Sequence, residues 1–119
     1  MKIWNLSQMT GLAEVDQRIV DKMRGVIEVL NENYGEDREV DSLGGYVLLS
    51  TTSIQPFEKF IKQYPTVVPE FIDYFIGVDG VEYVEILFLL SSDDSVMAYL
   101  NANEFKSQYH ALLLLCEED

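Results

Sequence analysis

The sequence predicts a single α+β domain over residues 1–119: a small, mostly antiparallel sheet packed by helices. Three observations carry this. A long stretch near the start repeats its apolar residues at helical spacing, several short runs are rich in β-branched and aromatic residues, and glycine or proline separates these segments.

Leu12, Val15, Ile19, Met23, Val26, Ile27, Leu30 and Tyr34 fall at intervals of three and four, which predicts a helix over 12–34 with one buried stripe. Thr10 or Gly11 can cap its start, with Glu14 completing a reciprocal cap from Gly11, and Gly35 ends it. Residues 35–45, GEDREVDSLGG, carry charge and glycine without a period and read as an acidic loop. The β-prone run 46–51 reads as a strand.

Pro56 suits a first helical turn, and Phe57, Phe60, Ile61 and Tyr64 give a short helix stopped by Pro65. Pro69 can open another short helix carrying Phe71, Ile72, Phe75 and Ile76, although a strand fits the same residues. GVDG at 77–80 signals a turn, followed by strands over 82–91 and 95–101. A two-residue hairpin loop at Asp93–Asp94 would set Leu90 opposite Met97 and Phe88 opposite Tyr99. Val84, Ile86, Phe88, Leu90, Met97 and Tyr99 would then share a face covered by the long helix. Tyr83, Glu85, Leu87, Leu89, Ala98 and Leu100 would form the other face, awaiting a second layer or a partner. Asn103 is expected to cap a C-terminal helix over 103–116 that carries Phe105, Tyr109, Leu112, Leu113 and Cys116.

Charge is the most informative quantity. Eight Lys and Arg against 21 Asp and Glu leave a formal net charge of -13, with a pI near 4.2. Nucleic acid and anionic membrane are poor partners for such a surface, since their binders must bring positive charge. No apolar run is long enough to span a bilayer or to form a signal peptide, and a lone cysteine, Cys116, cannot make an internal disulfide. These features favour the cytoplasm.

The charge is also segregated. Between Lys62 and Lys106 stand eight acids, Glu70, Asp73, Asp79, Glu82, Glu85, Asp93, Asp94 and Glu104, and no Lys or Arg. Like charges on one patch add their fields, which is what steering a cationic partner requires. Tyrosines among them, Tyr83 in particular, could anchor such a partner. The plainer explanation is that the aromatics are core and the acids keep the chain soluble.

Chemistry finds little support. His110 is the only histidine, and Cys116 six residues later is off its helical ridge, so no nucleophile and base pair is apparent. Glu82 and Glu85 alternate to opposite strand faces. One His and one Cys give no zinc spacing, Asp79-Gly80 lacks the serial oxygens of a calcium loop, and Gly44-Gly45 is followed by no phosphate-binding lysine. We therefore expect no catalytic residues, no metal and no cofactor.

The expected function is that of a non-enzymatic inhibitor or immunity-type protein docking on a basic protein, such as a toxin or nucleic-acid-handling enzyme. The contact residues would be Glu70, Asp73, Asp79, Glu82, Tyr83, Glu85, Asp93 and Asp94. The alternative is an accessory or structural protein that pairs with a second copy, a homodimer, through the face bearing Tyr83, Leu87, Leu89 and Leu100.

Overall fold

The structure, a computed structural model, describes residues 1–37, 44–90 and 94–109. Its elements are β1 (Lys2–Ile3), a 3₁₀ helix (Leu6–Gly11), α1 (Gln17–Tyr34), β2 (Gly44–Ser50), α2 (Gln55–Gln63), β3 (Pro69–Ile76), β4 (Glu82–Leu89), β5 (Asp94–Asn101) and α3 (Ala102–Gln108). The strands form one five-stranded sheet in the order β1-β2-β5-β4-β3.

The α+β class holds, but the sheet is mixed. β2 and β5 run parallel, with Tyr46 beside Val96 and Leu48 beside Ala98, while β1/β2, β3/β4 and β4/β5 pair antiparallel. Residues 69–76 are a strand, not a helix. No described helix is long and apolar enough to cross a membrane.

The long helix begins at Gln17, five residues later than its apolar period suggests. Asp16 caps it through the Arg18 N–H at 2.9 Å, whereas Asn5 and Gln8 form a reciprocal cap on the preceding 3₁₀ turn. Apolar spacing continues through Leu12 because that residue packs in the same core without being helical. Gly35 ends α1 as expected, with positive φ and its N–H donating to the Asn31 carbonyl. In the short middle helix, Pro56 sits in the first turn and the Ser50 hydroxyl accepts the Phe57 N–H at 3.0 Å. The last helix starts earlier than expected. Its cap is Asn101, which accepts the Asn103 and Glu104 N–H groups, and it ends at Gln108, with Tyr109 as the C-cap donating its N–H to the Phe105 carbonyl. Positions 110–116 of the expected 103–116 helix, with His110 and Cys116, lie outside the described residues.

The largest correction concerns the β4/β5 register. Phe88 faces Val96 rather than Tyr99, an offset of three, and Glu85 faces Tyr99. Asp94 is the first residue of β5, and its carbonyl accepts the Leu90 N–H, so a two-residue loop on Asp93–Asp94 does not form. Because side chains alternate, an odd offset moves every β5 residue to the opposite face.

Two cores result, one on each side of the sheet. Ile19, Met23 and Ile27 of α1 pack on Val47, Leu49, Phe75, Tyr83 and Tyr99. On the other side, Phe57 and Phe60 of α2 and Phe105 of α3 cover Leu48, Val84, Ile86, Phe88, Val96, Ala98 and Leu100. The long helix covers Met97 and Tyr99 of β5 as expected but meets the other face of β4, with Tyr83 beneath it and Val84, Ile86 and Phe88 on the far side, and Leu100 is buried beneath α2 and α3 instead of lying with Leu87 and Leu89. Phe57 joins that second core through ring contacts with Phe88 at 6.1 Å and Tyr109 at 4.8 Å.

Candidate functional site

β3 is an outer strand, and the acidic segment is built around it and its neighbour β4. Tracing each carboxylate separates those that hold the fold from those that face outward.

Asp79 lies in the turn between β3 and β4, where its carboxylate accepts the Val81 N–H at 2.9 Å and the Tyr83 hydroxyl at 2.7 Å. The turn is tied to α1 by Asp16, which accepts the Val78 N–H at 3.2 Å and the Asp79 N–H at 3.0 Å as well as capping the helix. Burial alone would raise the Asp16 carboxyl, but hydrogen bonds from the Asp79, Val78 and Arg18 backbone outweigh it and hold the pKa below the usual carboxylate range. Asp16 escapes the sequence reading, although an Asp directly before Gln17 is a cap signal in its own right.

Tyr83 is only 8% exposed, packing on Phe75 at 6.0 Å. Burial first, and then the bond to Asp79, push its hydroxyl up to about 12. Tyr83 therefore offers little surface to a partner. Glu82 pairs with Lys106 at 2.8 Å, and that bond raises the lysine pKa. Glu85 accepts the hydroxyl of fully buried Tyr99 at 2.6 Å, and burial, followed by this bond, keeps that phenol neutral well beyond its ordinary range. Asp94 accepts the Gly44 N–H at 3.0 Å and so joins the first residues of β2 and β5. Asp93 lies outside the described residues.

Glu70 and Asp73 differ. Both are exposed on β3, and the side chain of neither makes a hydrogen bond or ion pair among the described residues. Asp73 stands directly opposite Glu85 in the antiparallel register, a like-charge pairing that costs stability in a sheet. Beside the β3–β4 strip, Lys22 of α1 lies 4.7 Å and Arg18 5.9 Å from the Phe75 ring centre, and Lys106 of α3 lies 4.8 Å from the Tyr74 ring centre. A bulge between Pro69 and Phe71 interrupts the start of the strand, and both proline and bulge discourage indiscriminate edge pairing.

Beside the acids runs an apolar strip that sequence reasoning finds in part. Phe71 pairs with Leu87, and Leu87 with Met97, on the α1 side of the sheet. Phe71 is 37%, Leu89 50% and Val29 of α1 55% exposed. Between α1 and the sheet a groove of about 460 Å³ is lined by Val26, Val29, Leu87 and Met97.

No three carboxylate, imidazole or thiol groups among the described residues converge to hold a metal ion. Comparison of the chain with protein-family models, with curated proteins and with solved structures finds no match.

Proposed function

We propose that this chain is a non-enzymatic binding protein that docks its acidic β3 side on a basic protein in the cytoplasm, as an inhibitor or immunity-type partner. The observation that carries the reading is the Asp73–Glu85 pair: two carboxylates held face to face at the sheet margin, with no described cation paired to either. Such a pair lowers stability, and a cationic side chain inserted between them would remove that repulsion. Exposed Phe71 beside them supplies apolar contact of the kind that anchors charged interfaces. Carboxylates at this margin would occupy a basic groove that otherwise takes phosphate. Nucleic acid itself is not the partner, given the net charge of -13.

The test is capture of partners from native lysate on immobilised protein, with the Glu70→Gln/Asp73→Asn double variant in parallel. A stoichiometric basic protein should be retained at low salt by the unaltered chain, released at high salt, and lost with the variant. Equal retention by both would remove this margin from consideration.

A second reading is favoured by the exposed strip of Phe71, Leu89 and Val29 along the α1 groove: self-association through that face. Salt separates the two. Screening helps two chains of like charge to associate and weakens a complex with a cationic partner. Sedimentation at low and high salt therefore distinguishes them.

A further inference from the structure

The turn that joins β3 to β4 is accounted for residue by residue, with one exception. The Gly80 N–H donates to the Gly77 carbonyl at 3.0 Å and the Gly77 N–H to the Val81 carbonyl at 2.9 Å, which closes a tight turn over 77–80. Gly80 has φ 82°, in the left-handed region, and a Cβ on Gly77 would collide with Tyr83 and Asp16. Asp79 supplies the carboxylate that holds Val81 and Tyr83. What the turn takes from Val78 is its N–H, donated to Asp16. The valine side chain itself is 74% exposed, at a turn position that ordinarily takes proline or a polar residue. Neither turn chemistry nor packing requires valine there.

Ile76 and Val81 on either side of it are exposed as well, so three β-branched apolar side chains stand within six residues at the tip of the hairpin. The backbone beneath them is fixed. Arg18 donates to the Ile76 carbonyl at 2.9 Å, and Asp16 accepts the Val78 and Asp79 N–H groups while capping α1. A segment held in this way gives up little freedom on binding, so an exposed apolar group on it is pre-organised for a contact. Charge indicates the kind of contact. Residues 69–89 hold five carboxylates, Glu70, Asp73, Asp79, Glu82 and Glu85, and no Lys or Arg. Arg18, Lys22 and Lys106, reaching in from the helices alongside, offset part of that charge.

We propose that this tip is the apolar anchor of the interface with a basic protein: Val78 enters an apolar pocket of the partner, Ile76 and Val81 line its mouth, and the hairpin carboxylates face cationic groups around it. The inference rests on the docking of the β3 side on a basic protein and adds the group that the partner buries. The two parts of such an interface act differently. Complementary charge speeds approach, whereas a buried apolar group slows release and is insensitive to screening.

The test takes the basic protein retained at low salt on the immobilised chain and measures its affinity, over a salt series, for the unaltered chain, Val78→Ser, Val29→Ser and Glu70→Gln/Asp73→Asn. Val78→Ser should keep the urea midpoint of the unaltered chain and bind about tenfold more weakly at every salt concentration, the scale of one valine left unburied. The double acidic variant should instead flatten the salt dependence, and Val29→Ser, on α1, should match the unaltered chain. Equal affinity of Val78→Ser overturns the anchor while leaving the acidic margin in place. A loss confined to Val29→Ser also overturns it and moves the contact to the α1 groove. If the unaltered chain retains no basic protein, the docking reading falls and the anchor with it. Should the serine variant lose stability, Val78→Thr, which keeps the branched shape, carries the same comparison.

Discussion

Gly45 shows how much a single position can demand. Its φ is 86°, and a Cβ there would fall onto the Ser95 carbonyl oxygen of the parallel partner strand. Gly44 beside it has φ 99°, and a Cβ would run into the Tyr34 ring at the end of α1. The Gly-Gly pair, legible in the sequence only as a loop, is the place where β2 meets both β5 and α1. Gly45→Ala should therefore lower stability by about 3 kcal/mol or more, since it combines strain with a backbone collision, whereas Gly11→Ala, with open space around it, should change little. Urea titration of the two variants checks the contrast. Asp16 is the other position on which several contacts converge, and Asp16→Ala should cost about 1–2 kcal/mol at pH 7 by uncapping α1 and releasing the β3–β4 turn. Its folded pKa lies below the unfolded value of 3.8, so this stabilisation is present above that value and disappears as pH falls through the folded pKa. The stability gap between the unaltered chain and the variant should thus close below about pH 4; a gap independent of pH would mean that the carboxylate charge is immaterial.

Among the elements, β3 ties folding to the proposed binding. Asp73→Asn removes the repulsion across β3/β4 and should raise stability by about 0.2–1 kcal/mol while weakening capture of a basic partner. A loss of stability would instead assign Asp73 an internal task and count against the docking margin. Much of this level was legible. The α1 stripe, the α2 start at Pro56, the GVDG turn and the strand content of 82–91 follow from local period and turn chemistry. What escaped were relations between distant residues. The pairing of β4 with β5 was inferred from Asp-Asp as a two-residue turn, yet Asp94 is drawn into β5, where its carboxylate reaches Gly44, far away in sequence. That contact leaves no local trace, and in the register that accompanies it Met97 and Tyr99 lie on the opposite face from Val84, Ile86 and Phe88. The acidic site was legible as composition only, because sequence cannot distinguish Glu85 beneath a tyrosine hydroxyl from Glu70 in solvent.

For the molecule as a whole, one sheet shared by two cores implies a single unfolding transition. Met23→Ala empties part of the α1 core and Phe57→Ala part of the α2/α3 core, and each should cost about 2–5 kcal/mol. Trp4 packs against the α2 side, so its fluorescence reports directly on that core. In Met23→Ala the fluorescence and far-ultraviolet dichroism transitions should nonetheless coincide, since the two cores share every central strand; separate midpoints would show that the sides melt independently. The same seam bears on synthesis. β2 is buried along its whole length and finds its parallel neighbour only in β5, after α2, β3 and β4. A nascent chain emerging from the ribosome at roughly 5–20 residues per second must therefore carry α1 and β2 for seconds with one strand margin open. Until β5 arrives, that open margin of β2 is where a chaperone would find most to hold.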